Sequence, residues 1–330
     1  VADLSPPVGD VTFRFYRGEV DLEGMADVFN AAHRNAGVER VITIESIANM
    51  YRNLTNCDLA TDLILAVQDS EVVGYRRAFW YVVEDGGERI LTHVGWVAPQ
   101  VIPMGVGGVL VDWCERRLVE VAAEVPYDGP QWFMAWADER EDAALADLRD
   151  RGYALSEIYA EMKRSLSTPI DDHDLPAGVA IRPTTEADSR RVWEADDAAF
   201  RDHVGYSAGT EADYQQFVDD PNTDPALWRV AFSGDVIVGQ VLNYVDEEEN
   251  REFGRRRGWT ESISTHRDWR GQGVARAVIT ESMRMFRDMG MDEVALGVHT
   301  TNPTGAYRLY EGLGYQVVAR QFEYRKEFPA

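Results

Sequence analysis

Three stretches of the first half of this chain recur in the second half at nearly one spacing. The run L-I-L-A-V-Q-D-S-E-V-V-G-Y, residues 63–75, returns as L-W-R-V-A-F-S-G-D-V-I-V-G-Q, residues 227–240. I-P-M-G-V-G-G, from Ile102, is answered by R-G-Q-G-V-A-R, from Arg270, and A-A-L-A-D-L-R-D-R-G-Y, 143–153, by G-A-Y-R-L-Y-E-G-L-G-Y, 305–315. Gly74 to Gly239 is 165 residues, Ile102 to Arg270 is 168, and Tyr153 to Tyr315 is 162. A spacing constant to within a few insertions means tandem copies of one fold. The copies are expected over 1–166 and 179–330, joined by S-T-P-I-D-D-H-D-L-P-A-G, 167–178, whose Pro, Gly and Asp are linker chemistry. A length of 330 residues suits two cores better than one.

In the second copy the apolar pattern reads as a strand 179–182, a helix 186–200, a hairpin of 228–232 and 236–245 around Ser233-Gly234-Asp235, and a strand 259–265. A helix follows in which Ala275, Val278, Ile279, Met283 and Phe286 keep the 3.6-residue period until Gly290 stops it. After a strand 294–298 comes a helix with Asn302 as N-cap, Pro303 at its first position, and Ala306, Leu309, Tyr310 and Leu313 facing inward. Gly314 ends it, and 316–328 supplies the closing strands. A strand that runs through a glycine-rich turn into a helix start aims several N–H groups and the positive end of the helix dipole at one point, which is an anion site. Gly271 and Gly273 let the backbone approach the anion, and Arg267 and Arg270 could add charge. The third glycine of a Rossmann fingerprint is missing and no G-K-[ST] follows, so neither a dinucleotide nor a Walker loop is indicated.

Charge narrows the partners. With 57 acidic and 33 basic side chains the formal net charge is −24. Such a surface repels phosphate backbones, which argues against nucleic acid, and it gathers cations. Cys57 and Cys114 lie far apart with no C-x-x-C, so two reduced thiols in a cytoplasm are expected, and no metal site. No apolar run is long enough for a bilayer, and V-A-D-L-S-P-P lacks the basic and apolar regions of a signal peptide.

The run I-S-T-H-R-D-W-R-G-Q-G-V-A-R-A-V-I, followed by T-T-N-P-T-G-A-Y-R-L-Y-E-G-L-G-Y, resembles the coenzyme A motif and closing helix of the GNAT superfamily of N-acetyltransferases. The likeness covers the whole second copy. The first copy matches in the order of its elements only, and this layout is similar to the mycothiol synthase type, without fixing a substrate. The resemblance implies an α/β (α+β) fold of two tandem GNAT-like domains, each a mixed, mostly antiparallel twisted sheet flanked by helices. It implies that acetyl-CoA sets its pyrophosphate on Arg270, Gly271, Gln272, Gly273, Val274 and Ala275. Ile263, Ser264 and Thr265 of the preceding strand and Asn302, Ala306 and Tyr307 of the closing segment complete that coenzyme site. An amine then attacks the thioester directly in a ternary complex, and Tyr310 matches the family's general-acid tyrosine. For the base, strand alternation puts Glu261 on the face of Trp259 and Ile263, where desolvation raises a carboxyl. His266 and His299 are alternative bases.

In the first copy Ile102 aligns with Arg270, Leu148 with Tyr310, Arg140 with Asn302, and His93, read as structural, with Glu261. Gly105, Gly107 and Gly108 keep the turn, but chemistry is not expected there. The run D-E-E-E-N-R-E-F-G-R-R-R-G, 246–258, reads as a solvated loop, and His203 and Tyr206 as loop residues near the acceptor region. The expectation is an acyltransferase with one site in the second domain, a monomer or homodimer that acetylates a small primary amine. A protein N-terminus or lysine as acceptor, and a non-catalytic acyl-CoA-binding scaffold, stay open as alternatives.

Overall fold

The computed structural model describes residues 3–84, 87–203, 205–302 and 304–329. They form two compact units, Val1–Ile158 with Gln321–Ala330, and Tyr159–Arg320.

The first unit runs β1 (Thr12–Phe15), α1 (Leu22–Ala36), α2 (Ile44–Arg52), α3 (Leu59–Asp62), β2 (Leu63–Gln68), β3 (Glu71–Val83), β4 (Glu88–Val97), α4 (Val106–Glu124), β5 (Gln131–Asp138), α5 (Asp142–Asp150) and the start of β6 (Ala154–Ser165). Its strands pair in the order β1-β2-β3-β4-β5, antiparallel throughout except for β4 beside β5. Residues 321–327 of the chain's last strand lie antiparallel on the far side of β5.

The second unit repeats the plan as β7 (Val179–Arg182), α6 (Ser189–Phe200), α7 (Glu211–Val218), β8 (Arg229–Ser233), β9 (Val236–Tyr244), α8 (Glu247–Glu252), β10 (Arg257–Thr265), α9 (Val274–Asp288), β11 (Glu293–His299), α10 (Ala306–Gly312) and the start of β12 (Gln316–Glu327). Its sheet orders β6-β11-β10-β9-β8-β7, with β10 and β11 parallel and the other recorded pairs antiparallel.

The unit boundaries differ from the expected 166 and 179 because the closing strands cross over. From Tyr159 onward β6 pairs with β11, and from Gln321 onward β12 pairs with β5. Segment 167–178 is also held within the second unit, since Arg284 of α9 donates to the Asp171 carbonyl and the Asp172 carboxylate.

The repeated Val-Gly has a packing cause. A Cβ on Gly239 would stand 2.4 Å from the Val274 side chain, so glycine there lets the start of α9 settle directly on β9. Val278, Ile279, Met283 and Phe286 of α9 then bury against Val238, Val241 and Val294. Burial of side chains this size contributes roughly 1.5–3 kcal/mol each, and it fixes where the N-terminus of α9 points. On the other face α6 and α7 cover Trp228, Val230, Phe232 and Leu242.

The acidic run 246–258, expected as a solvated loop, is instead partly built into the unit. Asp246 caps α8 by accepting from the Glu249 N–H, Glu249 pairs with Arg255 at 2.7 Å, and Arg257 is 2% exposed between Glu161 and Glu293. No helix among the described residues is long and apolar enough to cross a membrane.

Candidate active site

The parallel ladder between β10 and β11 lasts only from Arg257↔Glu293 to Trp259↔Ala295. Beyond it β10 carries a bulge: Glu261 still opposes Leu242, but the next pair is Ser264↔Gln240, and Ser262 sits at φ 44°. Two residues, Ser262 and Ile263, therefore stand against one on β9. The inserted residue reverses the alternation, so Ile263 leaves the face of Trp259 and Glu261 and packs with the α9 core. The expected sharing of one face by Glu261, Trp259 and Ile263 is thus corrected. Glu261 instead accepts the Gly297 N–H at 2.8 Å, bracing β10 to β11 where the ladder has ended.

A cavity of about 910 Å³ opens along β10, α9 and α10. Ile263, Ser264 and Thr265 form one wall, Arg270, Gly271, Gly273, Val274 and Ala275 its floor, and Ala306 and Tyr310 the opposite side. Gly271 and Gly273 adopt φ 73° and 87°, a region that favours glycine, and nothing lies within 4 Å of where a Cβ would project from either. The first N–H groups of α9 have no acceptor within their own helix, so this turn is shaped for an anion.

Three of the expected coenzyme residues do not line this cavity. Gln272 turns back to the Asp268 carbonyl. Tyr307 packs with the core cluster around α9. Asn302 does not cap a helix, since α10 starts at Ala306 after Gly305 at φ 77°. Asn302 closes a turn by accepting from the Thr304 N–H and hydroxyl, and its Nδ2 lies 3.2 Å from His203 Nε2. Pro303, expected at the first helical position, lies outside the described residues.

The two arginines are also committed. Arg270 donates to Asp202 at 2.7 Å and to the Ala199 carbonyl at the end of α6, and Arg267 reaches the same Asp202 at 3.1 Å. The hydrogen bond from Arg270 holds the Asp202 carboxyl below its ordinary range. These arginines fasten the end of α6 beside the turn. His203 lines the same cavity, its imidazole made less basic by desolvation and then by His299 and Arg270. Tyr206 is buried, its hydroxyl on Asp197.

Tyr310 is 5% exposed at the cavity wall. Burial first, and then the charge of Glu261, push its hydroxyl well above the ordinary tyrosine range, so it stays protonated. Of the alternative bases, His299 stacks on Tyr159 and is 3.1 Å from the Thr301 hydroxyl, while His266 accepts the Asp268 N–H on a short turn.

Glu261 faces a second cavity, of about 450 Å³, bordered by α7, β9 and the bulge. Asp213, Asp220 and Asp246 join it there, with Phe217, Trp228 and Tyr244 as apolar walls, and no Lys or Arg lines it among the described residues. Burial, opposed by the Asn222 N–H and aided by Asp246, raises the Asp220 carboxyl.

The sequence reading missed Asp196 altogether. Its carboxylate accepts from Gln240 Nε2 at 3.2 Å, and desolvation, which outweighs the polar groups around it, pushes it up to about 7. The available signal was slight: a polar residue on the inner side of α6, next to Asp197.

Comparison with known proteins matches residues 190–315 to the acetyltransferase (GNAT) family. Mycothiol acetyltransferase from Salinispora arenicola is 30% identical over 216 residues, covering 64% of this chain and 67% of that one. The chain belongs to the acetyltransferase (GNAT) family. Mycothiol acetyltransferase from Thermobispora bispora is likewise 30% identical over 181 residues, 54% of this chain, and the match spans only 61% of that relative's length. A crystal structure of a GCN5-related N-acetyltransferase from Sphaerobacter thermophilus superposes with a TM-score of 0.72 at 25% identity, over 98% of this chain and 97% of that one. Within this GNAT chain the matched segment contains the glycine turn, the bulge, the second cavity and Tyr310.

The first unit departs from that arrangement at the equivalent turn. Pro103 stands where the second unit has Gly271, and proline cannot take the positive φ that Gly271 adopts. Over the adjoining helix start the Arg151 guanidinium lies against Gly108, bonded to Asp112 at 2.6 Å. His93 is buried between Arg76 and the Tyr153 hydroxyl, and burial keeps its imidazole far less basic than usual.

Proposed function

We propose that the second unit is an acetyl-CoA-dependent N-acetyltransferase acting on a small primary amine by direct attack in a ternary complex. One observation carries the reading: the open Gly271–Gly273 turn at the start of α9 and the protonated Tyr310 share one cavity. The turn fits a pyrophosphate because its glycines leave Cβ space empty and its N–H groups converge. Bound there, acetyl-CoA supplies an acyl thioester. The chain's residues do the rest. Ile263, Ser264 and Thr265 flank the arm, Tyr310 holds a proton for the departing sulfur, and Glu261 takes the proton that the acceptor ammonium sheds.

The acceptor side follows from charge. Four carboxylates around a cavity with aromatic walls favour a cationic amine over an anionic or neutral compound. The relatives named mycothiol acetyltransferase support a small-molecule acceptor. The test is a panel of small amines, N-terminal peptides and lysine peptides screened for acetyl-CoA-dependent thiol release, with Gly273→Val as control. Turnover confined to small amines and lost in the control is expected. No turnover with any amine, or turnover only with peptides, overturns the reading.

A further inference from the structure

Coenzyme A carries a further phosphate on the 3′ carbon of its ribose, one sugar away from the pyrophosphate. The cavity that holds the Gly271–Gly273 turn has a cation to spare for it. Its charged lining is Asp202, Arg270 and Arg276, joined by the imidazoles of His173 and His203. Arg270 and Asp202 offset one another at 2.7 Å. Among the described residues Arg276 forms no ion pair or hydrogen bond, and it stands exposed in the first turn of α9, whereas Arg284 and Arg287 of the same helix both meet carboxylates. Acids outnumber bases 57 to 33 in this chain, so an unmatched arginine beside an anion turn is not what composition alone produces. Helical side chains lean toward the N-terminus of their helix, which directs Arg276 back over the glycine turn.

A second component comes from the segment that joins the two copies. His173 is half-buried on the same cavity, and the chain is fastened on both sides of it. Arg284, about two turns beyond Arg276 on α9, donates to the Asp171 carbonyl at 3.0 Å and to the Asp172 carboxylate at 2.6 Å. Just past His173, Leu175 packs with the α9 core. Held before and after, the imidazole is fixed at the cavity. The acids around it do not share that position: Asp171, Asp172 and Asp174 are exposed and do not line the cavity, and Asp172 is already matched by Arg284. Joining two copies needs no histidine in a ligand cavity.

We infer that Arg276 and His173 form the seat of the 3′-phosphate of coenzyme A, which makes the segment between the copies part of the coenzyme site. The inference rests on the acetyl-CoA reading, which sets the pyrophosphate on the turn. Arg276 supplies charge and N–H donors, and His173 supplies an imidazole N–H, which either tautomer offers from one of its two nitrogens. The seat distinguishes coenzyme A from its 3′-dephospho form. It leaves the thioester alone, because that group lies at the other end of the molecule.

The test is calorimetric titration of the full chain with acetyl-CoA and with 3′-dephospho-acetyl-CoA, in wild type, Arg276→Gln and His173→Ala. Wild type binds acetyl-CoA about tenfold or more tightly than the dephospho form. Arg276→Gln weakens acetyl-CoA about tenfold and His173→Ala about threefold, while the dephospho form changes by less than about twofold in either variant. Added salt narrows the gap between the two ligands in wild type and has little gap left to narrow in Arg276→Gln. A variant that failed to fold would lose both ligands, so retained binding of the dephospho form is also the check on folding, and thermal unfolding of each variant is measured beside it. Equal affinity of wild type for the two ligands leaves the coenzyme reading standing and overturns the seat alone. The seat is likewise overturned if either variant, melting with the wild type, loses both ligands equally or loses neither. Binding of neither ligand by wild type overturns the coenzyme reading, and the seat falls with it.

Discussion

Replacing Asp196 by asparagine should make the protein more stable in alkaline solution while leaving it little changed in acid. The carboxyl is raised from 3.8 to about 7, so between those values the native state binds a proton that the unfolded chain does not. Stability therefore falls as pH rises through that window, and the penalty is complete above it. A shift of about three units corresponds to roughly 4 kcal/mol at 1.36 kcal/mol per unit, an upper bound that partial exposure reduces to about 2 kcal/mol. Asparagine carries no charge to desolvate and keeps an oxygen for Gln240 Nε2. Urea unfolding of wild type and Asp196→Asn at pH 3 and pH 8.5 is the assay. The difference in favour of asparagine should grow by about 2 kcal/mol between the two. A difference that does not change with pH would refute the reasoning, because it would mean that Asp196 titrates alike in the folded and unfolded chain.

Four further outcomes are expected. Tyr310→Phe should keep the fold and the acetyl-CoA affinity measured by calorimetry, while turnover falls by roughly 10² to 10⁴. Gly273→Val should abolish acetyl-CoA binding in the same titration, because a branched side chain at φ 87° both strains the turn and fills the open space above it. Acetyl-CoA should saturate near one equivalent per chain, since Pro103 and the Arg151–Asp112 pair replace the open turn in the first unit; two equal sites would show otherwise. Arg257→Ala should lower unfolding stability by about 3 kcal/mol, because Glu161 and Glu293 lose the buried cation between them.

What could be read from the sequence was whatever depends on local pattern. The glycine turn, the amphipathic α9 with Val278, Ile279, Met283 and Phe286, and the inward Tyr310 all follow from spacing along one helix or one turn. The bulge could not be read, because a serine at positive φ has no residue-type signal and strict alternation was the natural assumption through Glu261 and Ile263. Asp196 escaped for a related reason. Its neighbour is Gln240, 44 residues away, and a carboxylate on a helix reads as solvated until such a neighbour is known. Asn302 was misplaced because a good capping residue followed by proline is equally suited to the turn that it closes before Gly305.

The crossing of β6 and β12 bears on how such a chain can change over time. A cut in 167–178 would leave the first fragment without residues 321–327 on β5, and would leave the second without residues 159–165 on β11. Each fragment would then present a bare row of backbone donors and acceptors along a strand, the condition that invites aggregation. Residues 159–165 precede the linker in sequence yet complete the sheet of the second unit. Deletion of residues 1–166 is therefore a different perturbation from substitutions within them, because it removes a strand of the second unit's own sheet.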